Sequence, residues 1–257
     1  MTSAEYDALA DVYDWLVPET LLEPDGAVAA FESVLERIPS GGRVLDCAAG
    51  TGRLAVGLAL RGYRVVAVDI SPSMVERTAT LARDREVHLD ARVSSWDAVA
   101  DLGLEPFDAV FCVGNSLTHA EGVRGRRSAL QSMRSALRPG GALAVTSRNW
   151  AVTRASGSRL EVGDALIVRN GIAGLVVHSW SIADDWDEPH ILDVAVALLD
   201  DGRVRPHVAR LTFWPFSHGQ LLDDLEACSF APRLDTYEDT LERYLVVSTA
   251  ASSAGGC

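Results

Sequence analysis

The chain has 257 residues, with 36 acids against 23 bases and a formal net charge of −13. That charge argues against nucleic-acid binding by phosphate neutralisation, which needs a basic face. Every base is an arginine, so Schiff-base chemistry, which needs a lysine, is closed. Four cysteines, Cys47, Cys112, Cys228 and Cys257, form no CxxC pair, and the sequence offers no metal site. Met1-Thr-Ser-Ala-Glu5 has no charged segment leading into an apolar one, and no apolar run reaches the ~20 residues that span a bilayer. With 48% hydrophobic residues, the expectation is one soluble, cytoplasmic domain with a substantial core, in which Cys47 and Cys112 are buried thiols.

Residues 1–40 read as helices. Tyr6, Leu9, Ala10, Tyr13 and Leu16 recur at helical spacing, and Pro18 and Pro24 interrupt. Residues 27–38 predict a second helix with Val28, Phe31, Val34, Leu35 and Ile38 inward. The stretch Arg43-Val-Leu-Asp-Cys-Ala-Ala-Gly-Thr-Gly-Arg53 then reads as strand, tight turn and helix. A second apolar run follows Gly62 and ends on Asp69. Such a strand–glycine loop–helix–strand–acid unit suits a nucleotide-like ligand. The glycines admit a close backbone approach, the helix start offers free N–H groups, and the acid accepts from two ribose hydroxyls. The third glycine of the dinucleotide fingerprint is missing, which weakens a nicotinamide dehydrogenase reading.

Residues 74–85 predict a helix and 87–93 an alternating strand, followed by Ser95-Trp96-Asp97. The nearly all-apolar run 107–113 predicts a central parallel strand that ends in Gly114-Asn115-Ser116-Leu117-Thr118-His119. Polar residues at that place face the ligand side of open α/β sheets. Residues 125–137 predict a helix and 142–146 a strand leading to Ser147-Arg148-Asn149-Trp150. From 157 to 216 the pattern turns to β runs at 166–169, 175–182, 191–199 and 204–214, with hairpin turns at Asn170-Gly171 and Asp200-Asp-Gly202. This predicts an antiparallel extension of the sheet. Ser217 caps a helix over 219–227, residues 243–249 form the last strand, and 252–256 read as a loose tail. His178, His190, His207 and His218 read as surface or rim residues, and the acidic pairs Asp184-Asp185 and Asp200-Asp201 as solvated turns.

Asp46 before the loop, the Gly50-Thr-Gly52 turn, Asp69 and Ser71-Pro-Ser-Met74 resemble the class I S-adenosylmethionine-dependent methyltransferases. Arg138-Pro-Gly-Gly141 is also typical of that class, and Tyr6 to Asp14 resembles the N-terminal lid of its small-molecule members. The resemblance implies a Rossmann-like α/β sheet with helices on both faces, a helical lid (1–40), a cofactor-binding core (41–156), an antiparallel β extension for the acceptor (157–216) and a closing helix and strand (217–257). It implies S-adenosylmethionine as methyl donor, held by Asp46, Ala48, Gly50, Gly52, Asp69, Ile70, Met74, Ser95, Trp96, Val113 and Ser116.

Cys112-Val-Gly-Asn-Ser-Leu-Thr-His119, Ser147-Arg-Asn-Trp150 and Arg210-Leu-Thr-Phe-Trp-Pro215 are similar to elements of the glycine and glycine/sarcosine N-methyltransferases. That resemblance implies an amino-acid-like amine whose carboxylate meets Asn115 and Arg148. It places His119 beside cofactor and acceptor, with Tyr6 and Tyr13 as lid tyrosines at the chemistry. A neutral amine needs positioning more than a strong base, though a nearby histidine could take a proton at neutral pH. Trp150, Trp180 and Trp214 depart from that family's tyrosine-rich pocket and suit a flatter acceptor. Methylation of an aromatic natural product on carbon, nitrogen or oxygen therefore stands as an alternative, and a non-catalytic cofactor-binding protein as another. The expected partner is a small molecule, with no nucleic acid or membrane, in a monomer or homo-oligomer.

Overall fold

The computed structural model describes residues 3–251. The expected tail at 252–256, and Cys257, lie outside the described residues. Seven strands form one sheet: β1 Arg43–Cys47, β2 Arg64–Asp69, β3 Asp90–Val93, β4 Phe107–Cys112, β5 Leu137–Arg148, β11 Phe230–Asp235 and β12 Arg243–Ala250. Their spatial order is β11-β12-β5-β4-β1-β2-β3. The five strands β1 to β5 are parallel, while β12 runs antiparallel to both β5 and β11. Helices α5 (Arg53–Leu60), α6 (Pro72–Asp84), α7 (Gly122–Ala136) and α9 (His218–Ala227) belong to this layer. β1 and β4 are central and buried on both faces, which is why Phe107 to Cys112 reads as an apolar run interrupted only by Asp108.

Four short helices precede β1: α1 Ser3–Asp7, α2 Tyr13–Leu16, α3 Pro24–Ala29 and α4 Glu32–Leu35. The continuous helix expected over 27–38 is broken between α3 and α4, where Phe31 leaves helical geometry (φ −116°, ψ 11°). Its apolar residues nevertheless stay inward: Val28, Phe31, Val34, Leu35 and Ile38 are all buried, and Phe31 meets Phe111 edge-on. Pro24 starts a helix, where its missing N–H costs nothing. The cap at Ser217 forms as expected: Ser217 accepts from Gln220 N–H while the Gln220 side chain accepts from Ser217 N–H. A buried ion pair, Arg126 to Asp224 at 2.8 Å, ties α7 to α9.

The antiparallel extension is a sheet of its own. Strands β6 (Arg159–Val162), β7 (Ile167–Arg169), β8 (Ile172–Ser181), β9 (His190–Asp200) and β10 (Arg203–Phe213) pair among themselves in the order β10-β9-β8-β6, with β7 also on β8. It does not continue the first sheet, whose edges are β3 and β11. Asn170-Gly171 and Asp201-Gly202 each have two positive φ values, the geometry that matches the twist of a two-residue hairpin. The inner face of this sheet packs on the lid: Leu9, Val12 and Trp15 share one apolar cluster with Trp150, Trp180, Val194 and Phe213. Gly174 admits Trp15, because a Cβ there would stand 2.5 Å from the indole. His190 is fully buried against Trp150, not at the surface. Cys47, Cys112 and Cys228 are buried free thiols. No helix among the described residues is long and apolar enough to cross a membrane.

Candidate active site

The loop after β1 reverses sharply. Ala48, Gly50 and Gly52 have φ of 70°, 57° and 81°. Gly52 is compelled by contact as well as by φ, since a Cβ there would lie 2.6 Å from the Thr78 side chain. The turn carries Gly50 to Asp69 at the end of β2. Gly50 N–H donates to Asp69 Oδ2 at 2.8 Å and Ser71 N–H to Oδ1 at 2.9 Å. Each carboxylate oxygen so keeps acceptor capacity. Burial, opposed by these N–H donors, raises the Asp69 pKa.

Asp46 lies within β1 at 1% exposure, and its oxygens make no close hydrogen bond among the described residues, the Ala55 backbone N–H being the donor that faces them. Burial, then the nearby Asp69, pushes its pKa up to about 7. A buried carboxyl with so little hydrogen bonding gains from a further donor or a cation.

A cleft of about 300 Å³ opens beside Asp69. Ala48, Ile70, Ser95 and Trp96 line it with Asp69, and His119 forms part of the same wall. These six expected site residues come from the loop after β1, the end of β2 and the residue after it, the turn after β3 and the turn after β4, all at the C-terminal edge of the parallel strands. Asp97, of the Ser95-Trp96-Asp97 stretch, also lines it, as do Ser94 and Glu121; the last two escaped the sequence reading because polar residues in turns carry no signal of their own. Met74 does not reach the cleft. It is 1% exposed and belongs to the core under α6. Val113 and Ser116 serve the turn after β4, where Ser116 Oγ donates to Val113 O at 2.7 Å.

His119 is held from two sides. Its Nδ1 lies 2.9 Å from the carbonyl oxygen of Thr212 on β10, and its Nε2 lies 2.7 Å from Tyr6 Oη on the lid. A carbonyl can only accept, so Nδ1 carries the proton. Burial lowers the ring's pKa to about 4, so Nε2 is bare and accepts the Tyr6 hydroxyl. The expectation that His119 takes a proton at neutral pH is corrected by this burial: the ring is a weak base whose lone pair is already engaged. Tyr6 is raised well above the ordinary phenol range, by burial first, and stays protonated. Tyr13 stands beside it, ring centroids 6.5 Å apart. Thr212 had no sequence signature, because its contribution is a backbone carbonyl 93 residues away.

Asn115 adopts φ 72° after β4. Its Oδ1 accepts the Arg148 backbone N–H at 2.9 Å and its Nδ2 donates to Thr118 Oγ1 at 3.0 Å. Asn115 therefore joins two strand ends, leaving one N–H for anything else. The Arg148 guanidinium lies over Trp180, 5.2 Å from the ring centroid. Among the described residues no carboxylate comes within 4 Å of it. Burial, then Arg243, lowers its pKa to about 10. Trp150 and Trp180 are 1% and 4% exposed and pack with Phe213, which in turn contacts His119 at 4.8 Å. Trp214 is half-buried and tied by its backbone N–H to Thr118 O at 2.6 Å.

Residues 44–141 match the model of the methyltransferase domain family. That stretch, less than half of the chain, is similar to methyltransferase domains. The chain is 38% identical over 121 residues to a glycine/sarcosine N-methyltransferase of Parasynechococcus marenigrum, covering 47% of this chain and 43% of that protein. It is 36% identical over 120 residues to the glycine N-methyltransferase of Rattus norvegicus, covering 42% and 41%. The matches thus span about two fifths of the length of these curated relatives. Over the whole chain the fold is that of the class I methyltransferases. The CcbJ methyltransferase of Streptomyces caelestis superposes with a TM-score of 0.78 at 21% identity, covering 98% of this chain and all of that one. DesVI of Streptomyces venezuelae gives 0.77 at 20% identity, covering 94% and 98%. CalS10, an amino pentose methyltransferase of Micromonospora echinaspora, gives 0.74 at 20% identity, covering 94% and 95%.

Proposed function

We propose that this chain transfers a methyl group from S-adenosylmethionine to a small-molecule amine, an amino-acid-like acceptor being favoured. The observation that carries the reading is the Tyr6–His119 hydrogen bond at the wall of the cleft that also holds Asp69 and Trp96.

The residues present fit the cofactor. Asp69 keeps acceptor capacity on both oxygens for ribose hydroxyls. Ile70 and Trp96 offer apolar surface for a purine, with Ser95 beside them. Asp46, buried and only weakly hydrogen-bonded, suits the cationic methionine end. When bound, the cofactor supplies a sulfonium methyl group that a nitrogen lone pair can accept in line.

The chain's own contribution is positioning. His119 accepts a hydrogen bond from the Tyr6 hydroxyl and fixes the phenol, so Tyr6 Oη presents its lone pairs to an acceptor N–H. An amine held this way directs its nitrogen lone pair elsewhere, and the lid that carries Tyr6 covers it. Arg148, half-buried and without a carboxylate partner among the described residues, grips the acceptor's carboxylate in a bidentate contact. Asn115 acts one step back, by fixing the Arg148 backbone.

The aromatic cluster supports a second reading, an aromatic acceptor, although Trp150 and Trp180 are packed mainly against one another. The test is S-adenosylhomocysteine release with three acceptor sets: small amino acids, aminodeoxy sugars, and indoles with cyclic dipeptides. Turnover of amino acids supports the favoured reading. Turnover of the last set alone overturns it. Tight cofactor binding with no turnover of any set marks a binding protein.

A further inference from the structure

The second sheet has two faces of opposite fate. Residues of β8, β9 and β10 that face the lid, such as Val176, Val194 and Leu211, are buried. The alternate residues face outward, and a solvated sheet face reads as polar there. Here it does not. Val208 pairs with Ala195, Ala195 with Val177 and Val177 with Val162, an apolar row across all four strands of the path β10-β9-β8-β6. Toward the hairpin end, Val204 pairs with Leu199. Val208 is 63% exposed, Val204 67% and Val162 55%. The strands therefore carry the pattern of a sheet covered on both faces, while the described residues cover one.

We propose that the outer face is covered by a second copy of this chain, sheet against sheet about a two-fold axis. Charge selects that occupant. The molecule carries −13, so its copies repel over most approaches. On this face Arg210 and Asp193 neutralise one another through two contacts, at 2.7 and 2.9 Å. A face that is neutral and apolar on an acidic molecule can meet its own image without like-charge contact, as an isologous dimer requires. Shape agrees: small Ala195 lies between the larger Val208 and Val177, leaving a furrow for the partner's ridge. Extent agrees too. Strands β10, β9 and β8, with β6 and β7 sharing the fourth position beside β8, lie ~4.8 Å apart and over the seven residues Val204 to Arg210 give ~450 Å² in plan per copy, hence ~900 Å² for two before side-chain relief, near the ~1,000 Å² of a specific interface. The strand so buttressed, β10, also supplies the Thr212 carbonyl that holds His119.

The experiment is sedimentation velocity with light scattering on the full chain between 1 and 100 µM, on wild type, V208E, V208K, V204K and, as a control on α7, V123E. Expected is a dimer mass for wild type and V123E, and a twofold lower mass for each variant on the sheet face, with circular dichroism unchanged. V208K lowers the negative charge, so its dissociation ascribes the effect to the face and not to added acid. A wild type that is monomeric throughout overturns the proposal. So does a dimer that survives V208E, V208K and V204K in folded form. Neither result depends on cofactor or acceptor.

Discussion

Tyr6 on the lid and His119 after β4 are joined at 2.7 Å although 113 residues separate them in sequence. The Thr212 carbonyl, 2.9 Å from the other ring nitrogen, dictates which way the proton points. Three segments of the chain thus define one hydrogen-bonded line, and it exists only with the lid in place.

The line makes a kinetic prediction. Tyr6→Phe should lower kcat by about 10²-fold, the scale expected when a reacting group loses its orientation, while cofactor affinity stays within about twofold. His119→Ala should cost a similar factor, and the double variant little more, because the two act as a unit. Additive losses would show that they act separately. Since burial holds the His119 pKa at about 4, the pH–rate profile should show no histidine limb between pH 6 and 8. Activity falls as pH approaches 4, where Nε2 gains a proton and can no longer accept from Tyr6.

Asp46 links stability to pH. Its folded pKa, about 7, lies above the ordinary 3.8, so the folded state binds the proton more tightly than the unfolded one. The penalty it carries therefore grows as pH rises from about 4 and is complete above about 7. Asp46→Asn should gain in melting temperature relative to wild type at pH 8 compared with pH 4. Cofactor affinity of the wild type should fall as pH drops below 7, because the neutral carboxyl no longer attracts a cation. Isothermal titration across pH 5.5–8 checks this, and a flat profile would remove Asp46 from the site.

Gly52→Val meets two obstacles: φ of 81° and a Cβ 2.6 Å from the Thr78 side chain. We expect about 3 kcal/mol of destabilisation in chemical denaturation. The displaced loop also loses the Gly50–Asp69 contact, so cofactor binding should be lost in any fraction that folds. Wild-type affinity in this variant would contradict the placement of the loop.

Arg148→Ala separates acceptor classes. For an acceptor with a carboxylate, KM should rise at least about tenfold with a smaller change in kcat, as expected when one partner of a half-buried charge pair is removed. Arg148→Lys should recover a fraction, lacking the fork geometry. An unchanged KM would mean an uncharged acceptor.

Asp46, the Gly50-Thr-Gly52 turn and Asp69 were legible without coordinates, because a tight turn between two apolar strands constrains residue types one by one. The hairpins at Asn170-Gly171 and Asp201-Gly202 were legible for the same reason: positive φ at two successive positions admits few residues. Less was legible where neighbours decide. β6 is four residues long and half charged, and β11 carries Pro232 at a register shift on an edge strand; neither holds a pattern that local reading separates from loop. Met74 has the right sequence position for the cofactor loop, yet the packing of α6 turns it into the core.

The amino-acid sequence by itself determined the parallel sheet and the glycine turn, because each rests on periodicity or on the allowed φ of a few residues; the roles of Asp46 and of the lid tyrosines came from family resemblance. Tertiary structure alone decided that the β extension forms a separate sheet and that Asn115 braces Arg148. It also decided that His119 is a buried, neutral acceptor and not a free base. Those outcomes depend on contacts between segments far apart in the chain and on the loss of water around them, and neither is written in the order of neighbouring residues.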